Sequence, residues 1–115
     1  MGLRATSNPT GIAAQQGVTG KTITNNNASS SVTIPAGTSY YGFTGTNLAT
    51  LTVNFPAGSA ASDGLEITVY FSAAVGTALT LASSGATFVD APATVAAKTR
   101  LSFIYDNAST QWVPN

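Results

Sequence analysis

Few side chains of this sequence could carry out chemistry. The acidic residues are Asp63, Glu66, Asp90 and Asp106, and the sequence contains neither His nor Cys. A Ser-His-Asp triad, a Cys-His pair and His- or Cys-ligated metal sites therefore cannot be built from these residues. A carboxylate pair of the glycosidase kind and a calcium site are the remaining options, and the spacing of the acids favours neither. We interpret them as turn and surface residues, and predict no enzyme activity, no metal and no cofactor.

Basic residues are equally sparse. The chain has four bases and four acids, so its formal net charge is zero. Nucleic-acid binding needs clustered Lys and Arg, and we predict none. Lys98 and Arg100 share one face of a strand, where they could pair with Glu66 or Asp90 or meet an acidic partner surface. No apolar segment reaches the length of a membrane span, so we predict no membrane contact.

Aromatic side chains are the third group with a potential binding role. Such rings stack on sugars in carbohydrate-binding modules, but they are also common in cores and subunit interfaces. Tyr70 and Ile104 are out of phase with the other apolar residues of their strands, so both faces of those strands would be apolar. We predict that Tyr70 and Ile104 lie in a subunit interface. Tyr40, Tyr41 and Trp112 form the alternative set, for stacking on a ligand.

Period-two alternation is the main signal of secondary structure. Apolar residues alternate with Thr, Ser or Asn, which places one face of each stretch on a core. The clearest stretches are 31–34, 50–55, 65–71, 78–81 and 100–105. Turn signals recur about every eight to twelve residues, and no helical period is sustained. The pattern predicts an all-β fold: a single antiparallel β-sandwich or jelly roll of about eight or nine short strands.

The same alternation predicts the core. Its expected members are Ile34, Leu51, Val53, Phe55, Leu65, Ile67, Val69, Phe71, Leu79, Leu81, Leu101 and Phe103. Pro35 and Pro56 end strands, Asp63-Gly64 forms a turn, and Gly42 suggests a bulge. A parallel α/β fold is excluded because the pattern contains no helical crossovers, and no repeat of solenoid length is evident.

Residues 1–20 differ from the remainder of the chain. This segment is polar, holds Pro9 and several Gly, and shows no periodicity. We predict two regions, an extended N-terminal arm at 1–20 and a β-sandwich domain at 21–115. Such an arm has no core of its own and contributes by contacting a partner. Its predicted contact residues are Leu3, Arg4, Pro9, Ile12, Val18 and Lys21. Charged residues make up only 7% of the chain, which favours a protein that functions in an assembly.

The segment from Leu51 to Trp112 resembles a β-module of tailed-bacteriophage structural proteins. The matching elements are Leu51-Thr52-Val53-Asn54-Phe55-Pro56, Asp63-Gly64, the strand from Thr77 to Leu81, Ala91-Pro92, and Phe103-Ile104-Tyr105-Asp106 followed by a polar turn and Trp112. Modules of this kind occur at tail-fibre ends and in small virion surface proteins.

The resemblance implies a virion structural protein without catalytic activity. A short β-domain with an N-terminal arm is similar to capsid decoration (cement) proteins, which bind the outer head surface and bridge capsomers. We therefore expect a protein that is made in the host cytoplasm and resides on the outer capsid surface. Its expected partners are the major capsid protein and its own copies, with a trimer favoured over a dimer. The alternative is a receptor- or carbohydrate-binding module of a tail fibre.

Overall fold

Nine short strands make up almost all of the regular structure of the residues that the structure describes. The computed structural model describes the backbone of residues 21–25 and all of residues 31–115. The strands are β1 (Lys21–Asn25), β2 (Ser31–Thr33), β3 (Tyr40–Thr44), β4 (Leu48–Asn54), β5 (Glu66–Phe71), β6 (Val75–Ala82), β7 (Thr87–Phe88), β8 (Thr99–Asp106) and β9 (Gln111–Pro114). Within these residues the only helix is a 3-10 turn at Gly58–Ala60. The all-β prediction is confirmed.

The first six strands alternate between two sheets. One sheet has the order β1-β3-β5-β8-β9-β7, and the other has the order β2-β4-β6. Each of β3 to β6 pairs in parallel with the strand two positions before it in the chain. The chain thus passes from one sheet to the other and back, and each new strand lies beside the preceding strand of its own sheet. We call β1 to β6 the parallel winding.

The predicted antiparallel pairing is wrong for five of the seven ladders between described strands. Parallel neighbours need a crossover of about a dozen residues or more, which usually contains a helix. In the parallel winding, a strand of the other sheet occupies each crossover. A jelly roll is built from antiparallel strands, so these ladders do not support one.

Unequal spacing hides the winding in the sequence. Lys21 pairs with Tyr40, 19 residues later, whereas Tyr40 pairs with Thr68, 28 residues later. Successive turns of the winding therefore differ in length, and their residues do not align as a repeat. The sequence consequently shows no repeat of a single fixed length.

Antiparallel structure closes one end of the winding. β8 pairs antiparallel with β5, and β9 pairs antiparallel with β8. In the smaller sheet, the segment before β8 covers the outer edge of β6. Val75 forms an antiparallel bridge with Val95, and the Leu79 N–H donates to the Ala93 carbonyl at 2.7 Å.

Turn residues act largely as the sequence predicts. Gly64 has a φ of +83° directly before β5, and its N–H donates to the Tyr105 carbonyl at 2.8 Å. The predicted bulge at Gly42 is wrong, because this residue stays in regular register with its neighbours in β1 and β5. The register shift lies instead in β4, between Leu48 and Thr50.

The core confirms most of the predicted members. Buried as expected are Ile34, Leu51, Val53, Phe55, Ile67, Val69, Phe71, Leu79 and Phe103. Leu65, Leu81 and Leu101 are only partly buried and pack against the edge of this cluster. The sequence prediction missed Tyr41, Phe43, Val75, Val95, Tyr105 and Trp112, which are also buried. Several of these lie in short elements, where alternation runs over too few residues to set a phase.

One cluster of rings joins the two sheets. Phe55, at the end of β4, lies with its ring centroid 5.1 Å from Trp112, 4.9 Å from Phe88 and 6.1 Å from Phe103. The last three residues belong to the larger sheet. The sheets therefore share a single core, and their outer faces point away from it.

Candidate docking surface

The outer face of the larger sheet holds the residues predicted for a subunit interface. In β5, Ile67 and Val69 are buried, so Glu66, Thr68 and Tyr70 point away from the core. The register extends this surface across β8 and β9. We call the central part of this surface, on these three strands, the outer sheet face; its members are Glu66, Thr68, Tyr70, Arg100, Ser102, Ile104 and Val113. Tyr40 of β3 and Asp106 at the end of β8 flank it.

Each polar side chain of the outer sheet face is held by a neighbour. The Arg100 guanidinium lies over the Tyr70 ring, with its carbon 5.8 Å from the ring centroid. The Thr68 and Ser102 hydroxyls are hydrogen bonded at 2.6 Å. A contact of this kind restricts the rotamers of both partners. The surface therefore presents a defined pattern of groups.

Two opposite charges mark the ends of this surface. Glu66 accepts a hydrogen bond from the Asn115 side-chain amide. It pairs across the ladder with Ile104, whereas Arg100 pairs with Tyr70. Ile104 follows Arg100 by four positions in β8, which corresponds to about 13 Å along the strand. Glu66 and Arg100 are thus too far apart for an ion pair within one chain.

Tyr70 and Ile104 occupy the positions that the sequence predicts. Both side chains point away from the core and are half-buried. Ile104 lies in the row between Glu66 and Val113, and Val113 is 36% exposed. Ile104 and Val113 therefore form an apolar strip beside Glu66, at one end of the face. That a subunit covers it stays a prediction.

The alternative stacking set is wrong for two of its three rings. Tyr41 is 5% exposed and Trp112 is 0% exposed, so neither can stack on a ligand. The indole Nε1 of Trp112 is also buried, without a hydrogen-bond partner among the described atoms. Tyr40 is half-buried on the face opposite to Tyr41. Period two alone could have shown this, because adjacent residues of a strand point to opposite faces.

The acidic residues mostly serve turns. Asp63 Oδ1 accepts the backbone N–H of Asn107 at 2.9 Å. Asp106 Oδ2 accepts the Ser109 hydroxyl at 2.6 Å, and this bond holds the pKa of the Asp106 carboxyl below its usual value. Asp90 is exposed, in a turn with a φ of +53°. The described residues include no group of three His, Cys, Asp or Glu side chains that could hold a metal ion.

The outer face of the smaller sheet has a different composition. We call it the threonine face; its members are Ser31, Thr33, Thr50, Thr52, Asn54, Ala78, Thr80 and Ala82. All are small or polar, and none is ionisable. Asn54 is the best-anchored member, since its side-chain amide donates to Ser31 Oγ at 3.3 Å and to the Val32 carbonyl at 3.0 Å.

A cavity of about 270 Å³ opens beside the loop that follows β4. Its lining comprises Ala36, Gly37, Thr38, Ser39, Pro56, Ala60, Ser62 and Leu65. These residues offer hydroxyl groups and apolar surface but no ionisable side chain. The cavity therefore lacks an acid, a base or an activated nucleophile.

The predicted contact arm is not described by the structure. Leu3, Arg4, Pro9, Ile12 and Val18 lie outside the described residues. The backbone of Lys21 belongs to β1, where it pairs with Tyr40. The sequence analysis missed the contacts of Arg100 with Tyr70 and of Glu66 with Asn115. Both depend on strand register, which local sequence does not specify.

No protein-family model, curated protein or solved structure significantly matches this chain. Among the described residues, no helix is long and apolar enough to cross a membrane.

Proposed function

We propose that this protein is a non-enzymatic structural protein of a phage virion, and specifically a capsid decoration protein. The outer sheet face is the main structural support, because it combines half-buried Tyr70 and Ile104 with charges at its two ends. Such a mixed surface suits a protein partner. The resemblance of residues 51–112 to phage structural β-modules supports the virion as the place of action.

The proposed mechanism is the addition of binding energy to an existing shell. Each copy contacts neighbouring subunits of the major capsid protein on the outer head surface. Binding to the assembled shell but not to free subunits stabilises the shell by mass action. Contacts to more than one capsomer raise the effective affinity further. No catalytic step is needed.

The two-sheet domain acts in this proposal as a rigid support. We propose that its sheets stack as the layers of a β-sandwich, which the shared ring cluster around Phe55 supports. Residues 1–20 are proposed to add an extended contact with the shell. Self-association on the shell is part of the proposal, and the resemblance favours a trimer.

A tail-fibre module that binds a receptor or carbohydrate is the second candidate. Tyr40 and Tyr70 support it, since both are half-buried residues of the same sheet face, on neighbouring strands. Aromatic rings on such a surface can stack on sugars. With Tyr41 and Trp112 buried, however, only part of the expected platform is available.

Electron microscopy of virions with the labelled full-length protein tests the choice between head and tail. The proposal expects label over the head surface and tighter binding to bare heads than to free capsid subunits. Label confined to the tail, together with a positive glycan array, would replace the decoration proposal with the fibre module. Absence of label from both sites would reject a virion role.

A further inference from the structure

We propose that the outer sheet face binds the same face of a second copy of this chain. The two copies are related by a two-fold axis that lies between the sheets, parallel to them and perpendicular to their strands. The inference rests on the self-association in the proposed function but replaces its trimer with a two-fold pair; its evidence is the described surface and not a capsid. It assigns the partner, the symmetry and the charge pairs of the contact. The trimer favoured by the resemblance has no such two-fold axis.

The geometry of the ladder leads to this pairing. Glu66 and Arg100 lie on adjacent strands, at opposite ends of the same stretch of ladder. A two-fold axis through the central Thr68–Ser102 row turns one copy end for end over the other. It places Glu66 of each copy above Tyr70 of the second copy. Measured along the sheet, Glu66 then lies one strand spacing, about 4.8 Å, to the side of the second copy's Arg100, and the two long side chains meet across the gap between the sheets. Two reciprocal ion pairs result.

The apolar groups are matched by the same operation. The aliphatic stem of Arg100 comes to lie over the second copy's Ile104, and the Tyr70 ring lies under the second copy's Glu66. Long basic side chains commonly cover apolar surface in this way. A two-fold contact is isologous, so each contact between two different residues occurs twice. The assembly is closed at two copies.

Side-chain contacts within the chain prepare the charges for this interface. Arg100 is held over Tyr70, and Glu66 is held by Asn115. Positioned charges lose less conformational entropy on binding than free ones. Because the axis brings each charge beside an opposite charge of the second copy, one copy of the surface is complementary to another.

The contact area is modest. Three adjacent short strands offer less surface than the roughly 800 Å² per partner typical of a stable complex. We therefore expect a weak pair whose population depends on concentration. Analytical ultracentrifugation from about 10 μM to about 1 mM covers the range of weak complexes. The full-length protein should shift from 11.5 kDa toward twice that mass.

Charge-swap variants provide the decisive test. Glu66→Arg and Arg100→Glu each create two like-charge contacts, and each should weaken self-association by about tenfold or more. An equimolar mixture of the two variants restores both opposite-charge pairs, so it should form heterodimers about as readily as the original chain does. The Glu66→Arg/Arg100→Glu double variant should pair with itself for the same reason. Circular dichroism confirms that each variant is folded.

Thr80→Glu and Thr80→Arg are the matched controls. Thr80 is an exposed residue of the threonine face, and a charge introduced there should leave the association unchanged. A protein that stays monomeric up to about 1 mM overturns the inference. So does a trimer, or a mixture of the swap variants that fails to associate. Failure of the protein to bind phage heads would reject the proposed function and leave these measurements unaffected.

Discussion

The outer sheet face and the threonine face are built by the same alternation of residues over one shared core, yet they differ in chemistry. The first has two charges, an aromatic ring and aliphatic groups held at defined positions. The second has small polar and methyl groups without any charge. Alternation therefore determines which residues leave the core, whereas their identities determine which face can recognise a partner. Only the outer sheet face has the charge pattern for selective recognition.

The largest expected effect concerns the core beneath the two faces. Phe103→Ala removes a ring that packs against those of Phe55 and Phe88. We expect a loss of about 3–5 kcal/mol in the free energy of unfolding, measured by chemical denaturation. Leu81→Ala, at a half-buried position of the smaller sheet, should cost about 1–2 kcal/mol. A loss below about 0.5 kcal/mol for Phe103→Ala would show that the two sheets do not depend on a common core.

The next prediction concerns the hydrogen bonds of the threonine face. Asn54→Ala removes two bonds that join β4 to β2, and it should cost about 1–2 kcal/mol of stability. Thr80→Ala on the same face, at an exposed position, should change stability by less than about 0.5 kcal/mol. Equal effects of the two changes, measured by thermal denaturation, would mean that Asn54 is not an anchor between the strands.

A third prediction separates recognition from folding. Ile104→Asn places an amide in the apolar strip of the outer sheet face and should weaken self-association about three- to tenfold. Its thermal midpoint should change by only a few degrees, because Ile104 is half-buried. Thr80→Asn should leave both quantities as they are. An unchanged association constant for Ile104→Asn would remove this residue from the interface.

The smallest effect is a change in proton affinity. The Ser109 hydroxyl is the main cause of the lowered pKa of Asp106. Ser109→Ala should therefore raise the Asp106 pKa toward its usual value, as observed by NMR titration of the side-chain carboxyl carbon. Because the folded-state pKa is depressed, the stabilisation is present above about pH 4 and is lost as the pH falls through the folded-state value. An unchanged Asp106 pKa in Ser109→Ala would assign the shift to the backbone N–H groups of residues 108 and 109.

Long strands reveal their inward and outward residues in the sequence better than short strands do. β5 and β8 show long, clear alternation, and their inward and outward residues were predicted correctly, including Tyr70 and Ile104. In the short β3, Tyr40 and Tyr41 were placed in the same set although neighbours in a strand cannot share a face. The burial of Val95 could not be read from local pattern, because this residue lies outside the strands and is buried by its bridge to Val75.

The all-β class, the turn at Asp63-Gly64 and most of the core follow from the amino-acid sequence, because alternation and turn chemistry act over a few neighbouring residues. Which strands pair, in which direction and in which sheet, depends on how the whole chain packs. Lys21 and Tyr40, or Tyr40 and Thr68, become neighbours through backbone hydrogen bonds that are the same for every residue type. Such bonds do not require particular residue types, so strand pairing cannot be predicted from local sequence. The parallel winding and the placement of Glu66 and Arg100 on one surface are therefore seen only in the packed structure.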